Sequence, residues 1–479
     1  LKVPAPPHSD SNAFTRQPHR RCPMGNGHCT CAAPAIAVDE RQAKAKIAAG
    51  PSDTVGAIAW VPPNAPLVGS AGARLPGRLA GGAGSSWLVA RGCAVRLRWT
   101  SAADHLGLST PPLTVPELLA VPAKVVQVAA GEAHALLVAL APEPRVYSIG
   151  ANDFGQLGLG DTLERPPSRR PLEVEALPPG ALVAGVSCGG QVSLAVSQRG
   201  DVWSWGRNEE SGVLGQGLMP VACVPSPAPV AGIRRKIRAA QVVTTGWTAF
   251  CVSHLGAVYS WGGGFCGAHG QGHQVDEACP KLLRALDGVA TVQAAAGLLH
   301  GLALSAQGEV FTWGRISGAF GAEVQLQMWP KLVDALAGIQ IVQVAAGGEH
   351  SLALAVGGEV YAWGAHTSGA LGSPDIQNVS RQHALVHMAE LGSLGKVREL
   401  ACGRCHSLFL AAEEGPSGRS GDLWLCGLGA PPAASHIAGQ AEGAAVGREV
   451  VVAKALGPPS GVPLKLQRLD VKRMLEMFT

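Results

Sequence analysis

The chain shows an alternation of apolar and small or polar positions that breaks repeatedly at glycine. Val344 to Gly364 reads VAAGGEHSLALAVGGEVYAWG. Within it, His350-Ser351-Leu352-Ala353-Leu354 alternates in size and polarity with period two, as a half-buried strand does. Gly357-Gly358 supplies a tight reversal, where positive φ is needed. Val360-Tyr361-Ala362-Trp363 is the returning strand, so the stretch predicts a β-hairpin. A second pair of short strands is expected from the Pro- and Gly-punctuated remainder of each unit, for example around Pro330-Lys331-Leu332-Val333.

The hairpin recurs. Ala294 to Gly314 reads AAAGLLHGLALSAQGEVFTWG, and Val128 to Gly150 reads VAAGEAHALLVALAPEPRVYSIG. Val186–Gly206, Val243–Gly262 and Leu400–Gly427 carry it too, and Ala80–Trp99 carries a degenerate copy. One anchor glycine per unit gives Gly82, Gly131, Gly189, Gly246, Gly297, Gly347 and Gly403, at intervals of 49–58 residues. Seven units at this period predict a propeller or solenoid built of four-stranded blades. One blade cannot bury both of its faces; seven arranged radially can, with little free sheet edge. The domain plan is then an extended N-terminal arm over 1–55, an all-β propeller over 56–455 and a C-terminal tail over 456–479. Gly56–Trp60 reads as a returning strand and Glu449–Ala453 as a β-branched run. The two ends of the propeller are therefore expected to meet in one composite blade or in adjacent blades.

Composition agrees with short strands. Aromatic residues make up 5% and charged residues 15%, while 63 Gly and 35 Pro favour tight turns over long helices. The net charge is +4, from 38 basic and 34 acidic residues. Arg234, Arg235, Lys236 and Arg238 form the one basic cluster and read as a solvated loop, so nucleic acid is not expected as a direct ligand. No stretch is long and apolar enough for a transmembrane segment; Val125–Ala141 is interrupted by Gly131, Glu132 and His134. The 12 Cys are scattered, several inside strand-like runs (Cys188, Cys251, Cys402, Cys426). That pattern favours reduced, buried thiols in an intracellular compartment over a disulfide framework. A start at Leu1, with Arg16, Arg20 and Arg21 in the arm, points to a trimmed product and to a mitochondrial or other organellar setting.

These units resemble the regulator of chromosome condensation repeat family. Its signature joins a small-residue strand with Gly and His, Ser-Leu-Ala-Leu, a Gly turn, Val-Tyr-x-Trp-Gly and Asn-x-x-Gly-Gln-Leu-Gly-Leu-Gly-Asp. The last part stands in full from Asn152 to Asp161, with weaker copies at Gly212–Gly217 and Gly369–Gly372. Trp-Gly pairs stand at Trp205, Trp261, Trp313 and Trp363. The resemblance covers about Gly56 to Ala455 and implies a seven-bladed β-propeller. The His position holds His134, His300, His350 and His406, but Val192, Ala249 and Ser85 in the other complete units. A residue repeated around a ring and then dropped does not fit catalysis. A buried His bonded to blade backbone is expected instead. The Trp position becomes Ile149 and Cys426, which reads as a packing site that tolerates different apolar groups.

No Ser-His-Asp or paired-carboxylate spacing stands out, so no catalytic, cofactor-binding or metal residues are expected. Gly155–Gly160 and Gly262-Gly263-Gly264 open no helix and do not read as phosphate loops. His254, His269 and His273 read as surface loop histidines. Cys22, His28, Cys29 and Cys31 offer four soft ligands, but CPMGNGHCTC matches no standard zinc finger, and free thiols are expected. Lys465 to Thr479 spaces Leu466, Leu469, Val471, Met474, Leu475, Met477 and Phe478 as a short amphipathic helix, seated on the propeller rim or in a partner's groove.

The expected function is a non-catalytic protein–protein interaction scaffold, a subunit or assembly factor of a larger complex. The alternative implied by the resemblance is a guanine nucleotide exchange factor for a small Ran-like GTPase. Asp153 and Asp161 lie in the family motif but read as turn-formers.

Overall fold

The repeated hairpins close into blades as the period-two pattern predicts. A computed structural model describes residues 79–82, 85–90, 92–100, 113–166, 168–208, 211–233, 237–316, 319, 325–365, 370–371, 385–388, 396–411, 423–427 and 467–469. They form seven four-stranded antiparallel sheets, a seven-bladed β-propeller. The blades run Leu79–Leu118, Lys124–Glu173, Val183–Pro229, Ala239–Leu282, Thr291–Leu332, Ile341–His387 and Val397–Leu469, and are numbered one to seven. In blade six, strand a is Ile341–Ala346, strand b His350–Ala355, strand c Val360–Gly364 and strand d Val386–His387, in that order across the sheet. The hairpin read from the sequence is strands b and c, paired from His350 with Gly364 to Leu354 with Val360.

Each strand a touches strand a of both neighbours, so these strands line the centre. Leu79–Gly81 touches Val397–Cys402, so the ring closes between adjacent blades one and seven. Of the two closures expected, this is the one found. Gly56–Trp60 and Glu449–Ala453, the strands expected at the two ends, lie outside the described residues.

Burial departs from a half-buried strand. All six residues of strand b are buried in blades three to six. The reason is that each blade is sandwiched between two others. The alternation is therefore one of size. Leu352 and Leu354 pack toward blade seven with Leu400, Phe409 and Trp424. Ala353 and Ala355, on the opposite side of the same strand, join Leu302, Leu304 and Val310 of blade five.

The tail needs correction. Gln467–Leu469, inside the segment expected to be a helix, is strand d of blade seven and pairs antiparallel with Leu423–Leu425. An apolar spacing suited to one helix face is overridden by an unfilled sheet edge, which offers ladder hydrogen bonds. The rest of Lys465–Thr479, like the arm over 1–55, lies outside the described residues.

Candidate interaction face

Antiparallel blades give the ring two unlike faces. The a–b turns and the longer c–d loops project from one side, called here the loop face. The tight b–c turns and the d–a connections project from the other. What holds the loop face in shape is a set of polar ties between successive blades, buried in the seams.

The first tie is a histidine–serine pair. His134 Nε2 meets Ser193 Oγ at 2.9 Å, His300 meets Ser351 at 2.8 Å, His350 meets Ser407 at 3.0 Å, and His406 meets Ser86 at 2.8 Å. Each pair joins one blade to the next. The Ser193 hydroxyl donates to the Gln156 carbonyl at 2.8 Å, so His134 Nε2–H donates to Ser193 Oγ. Burial pushes the His134, His300 and His406 pKa values down to about 4, so these imidazoles are neutral at neutral pH. The partner at Nε2 is thus a neighbouring hydroxyl, and for His134 the Gly190 backbone supplies the kind of partner expected.

The pairs are present or absent as units. His134, His300, His350 and His406 sit opposite Gly150, Gly314, Gly364 and Gly427. In blade four the residue opposite Gly262 is Thr248. Thr248, not Ala249, is therefore the counterpart of His; the a–b turn has the ordinary length, and its anchor stands one residue before Gly246. Blades one, three and four place Ser85, Val192 and Thr248 where the others have His. The blades that follow them place Ala135, Ala249 and Gly301 where the others have Ser. A His alone would bury an imidazole N–H with nothing to bond, at a cost of about 1–3 kcal/mol. Losing both together removes that cost.

The anchor glycine belongs to the same unit. A Cβ on Gly131 would stand 2.6 Å from His134 Cε1, and Gly297, Gly347 and Gly403 lie tighter still under their own rings. Gly131 N–H donates to the His134 carbonyl to close its turn, and Thr245 N–H donates to the Thr248 carbonyl in blade four. Thr245 is thus the anchor there. It carries a side chain because no imidazole lies over it.

The second tie is a glutamine clamp, which the sequence reading missed. The Gln127 amide bonds both N–H and C=O of Val186 in the next blade's strand a. Gln241 does the same to Ala294, Gln293 to Val344 and Gln343 to Leu400, at 2.8–3.3 Å across the four. At the closing seam Glu399 takes this place and accepts from Leu79 N at 3.1 Å. The signal was there, a polar residue four positions before the anchor in strands otherwise small and apolar.

The third tie corrects the packing-only reading of the Trp position. Trp205 Nε1 donates to the Gln156 carbonyl at 3.0 Å, Trp261 to Val213 at 2.8 Å and Trp313 to Ala268 at 2.8 Å. All three acceptors lie in the c–d loop of the preceding blade. Cys426 keeps a donor there, its thiol reaching the Ala370 carbonyl at 3.2 Å. Ile149 is purely apolar. Trp205→Phe is expected to cost about 1–2 kcal/mol, read as a lowered urea midpoint, because the bond is lost while most of the apolar contact stays.

So braced, the c–d loops of blades two, three and four are pinned to the next blade. Asn152 Nδ2 donates to the Asp161 carbonyl and carboxylate, each at 3.0 Å, and Asn152 Oδ1 accepts from Leu157 N. Arg165 pairs with Asp161 at 2.8 Å and holds its carboxyl below the usual range. Asp161 is a loop brace, and Asp153 lies exposed on the turn. Arg207 lies over the Phe154 ring, 4.8 Å from its centroid.

The other residues singled out from sequence are not gathered into one site. His269 and His273 stand edge to face, centroids 4.9 Å apart, in the c–d loop of blade four, whereas His254 lies in the b–c turn on the opposite face. His269 is buried rather than exposed, since its Nε2 bonds the Val275 carbonyl at 2.9 Å inside the loop. Burial lowers its pKa. Among the described residues, no three His, Cys, Asp or Glu are grouped to hold a metal ion. Arg238 is exposed; Arg234, Arg235 and Lys236, and the cluster Cys22, His28, Cys29 and Cys31, lie outside the described residues. The nine described cysteines are free thiols. Burial pushes Cys188, Cys251 and Cys426 up to about 12 and Cys402 well above its usual value, which suits structural rather than reactive roles. No helix among the described residues is long and apolar enough to cross a membrane.

Comparison with known proteins agrees with this architecture. Residues 85–409 match the family model of the RCC1-like domain. The chain belongs to that family. Among curated RCC1-like relatives, the ultraviolet-B receptor UVR8 of Arabidopsis thaliana is 34% identical over 194 residues, 40% of this chain and 41% of the receptor. The human E3 ubiquitin-protein ligase HERC2 is 32% identical over 196 residues, 40% of this chain and 4% of the ligase. The match therefore spans less than half the length of these relatives. Among solved structures, human WBSCR16 superposes with a TM-score of 0.59 at 25% identity, covering 70% of this chain and 87% of that one. Yeast RCC1 (Prp20), solved with Kap60, gives 0.56 at 21% identity over 72% of this chain and 80% of that one.

Proposed function

We propose that this RCC1-like chain is a non-catalytic protein–protein interaction scaffold, a subunit or assembly factor of a larger complex. The observation that carries the reading is the loop face itself. Its loops are locked by buried ties, yet they present Leu163, Leu218, Trp247, Phe265 and Val275 to solvent. Rigid loops with exposed apolar tips suit docking. The histidines and thiols whose protonation is most shifted are buried in blade seams, where they pack and bond rather than face a cleft. An organellar setting is part of the proposal and rests on Arg16, Arg20 and Arg21. Cross-linked affinity purification from native cells tests it. Stoichiometric partners in a species well above 48.9 kDa are expected; recovery as a lone monomer would overturn it.

The second reading, a nucleotide exchange factor for a small Ran-like GTPase, has support from family membership. A structure of Saccharomyces cerevisiae Prp20p, alike in fold, was described together with binding to Gsp1p and histones. Release of labelled GDP from a panel of small GTPases separates the two readings. Under the scaffold reading the rate stays at its intrinsic value; acceleration by substoichiometric protein would favour exchange.

A further inference from the structure

The loop face is not uniform. Its exposed aromatic residues Trp247 and Phe265 both belong to blade four, and Trp329, on strand d of blade five, packs against the blade-four c–d loop at Gly272. Trp247 is 51% exposed, Phe265 68%, Val275 68% and Trp329 54%. They are held together by backbone contacts. The Trp247 carbonyl accepts from Gly263 N at 2.7 Å, and Gly264 N donates to Asp276 Oδ1 at 2.8 Å. Gly264 packs against the Val275 carbonyl, Gly272 packs against the Trp329 indole, and Gly272 N–H donates to the Met328 carbonyl at 3.0 Å. Three 3₁₀-type bonds (Gly267 N to Gly264 O, Ala268 N to Phe265 O, Gly270 N to Gly267 O) tighten the turn that carries Phe265.

Aromatic side chains on a backbone already fixed lose little entropy on binding, and such groups dominate interface energies. Among the described residues, the opposite face exposes Leu255 and Val356 on its turns and no aromatic side chain.

Charge selects the partner. Asp276 is occupied by Gly264 N, and Glu277 is paired with Lys281 at 2.6 Å and His273 at 3.5 Å. Arg315 is exposed, sits opposite Leu326 in register, and enters none of the ion pairs found among the described residues. Leu326 is itself exposed, on the same strand as Trp329. Residues opposite in an antiparallel pair share a face, so a cationic head stands beside the apolar group.

We propose that the blade four–five sector of the loop face is the docking site for a peptide segment of a partner protein, one that seats apolar anchors on Phe265 and Trp329 and places a carboxylate at Arg315. The inference rests on the scaffold reading and names its surface and partner chemistry. Phage-displayed random peptides selected on the whole chain test it. Selected peptides should share two apolar residues and an Asp or Glu. Their binding should weaken by about tenfold or more in Phe265→Ser and Trp329→Ser, and severalfold in Arg315→Glu. Leu255→Ser, on the opposite face, should leave it unchanged, and matched melting curves show that each variant is folded. Basic or featureless consensus sequences, no enrichment, or equal affinity for the Phe265→Ser/Trp329→Ser double variant would overturn it. So would loss of a self-associated species in that variant by sedimentation, which would mean a second copy covers the sector. In the native purification, a double variant that keeps every partner sinks this surface and leaves the scaffold standing. A wild-type chain that recovers none sinks the scaffold.

Discussion

Gly131→Ala is expected to lower stability by about 3 kcal/mol or more, read as a reduced denaturant midpoint with unchanged cooperativity. The added methyl would lie 2.6 Å from His134 Cε1 and 2.9 Å from the Gly190 carbonyl. Neither can retreat freely. His134 is buried and bonded to Ser193, and Gly190 O already accepts from Glu132 N. The seam between blades four and five shows what rescue looks like, with Thr245, Thr248 and Gly301 in place of Gly, His and Ser. Adding His134→Thr and Ser193→Ala should therefore recover much of the loss, although each of these changes alone destabilises. If Gly131→Ala is as stable as the parent chain, the imidazole does not hold the place described for it.

Acidification should weaken the whole ring. His134, His300 and His406 titrate near 4 in the fold and near 6.5 when unfolded. Between these values the unfolded chain binds protons that the folded chain refuses, so stability falls as pH falls. The stabilisation is full above about pH 6.5 and lost progressively toward pH 4, on the order of 3 kcal/mol for each imidazole. Urea midpoints from pH 7.5 downward measure it. The variant His300→Thr/Ser351→Ala should reduce the slope by about one proton in this window. An unchanged slope would mean that His300 is not held neutral by burial.

The glycine–strand–glycine–strand rhythm made the blades legible because strand period and turn chemistry are local. The alternation in His350–Leu354 predicted both hairpin and face. It could not show that both faces are buried, because that depends on neighbouring blades about fifty residues away in sequence. The same limit explains Gln343 and Ser407, single polar residues whose partners lie in the adjoining blade. His269 was misjudged for a related reason: its acceptor is a backbone carbonyl, Val275, which leaves no mark in the sequence. The anchor spacing misassigned Ala249 because the glycine of that turn, Gly246, stands one residue after the true anchor, Thr245. The apolar spacing of the tail was real, but Gln467–Leu469 answers to a sheet edge that only the finished ring presents.

Ring closure sets an order on assembly. Seams within the ring join residues about fifty to sixty positions apart, such as His300 and Ser351 at 51, whereas His406 and Ser86 are 320 apart. Closing the longer loop costs only ~1.6 kcal/mol more in chain entropy. The delay is larger than the energy. On the ribosome, blades can stack one upon the next as they emerge, but the stack stays open-ended until Val397–Ala411 of blade seven arrives to meet blade one. The first blade thus waits through the synthesis of those between with one flank bare, and the junction formed last is the natural place for the finished circle to part first.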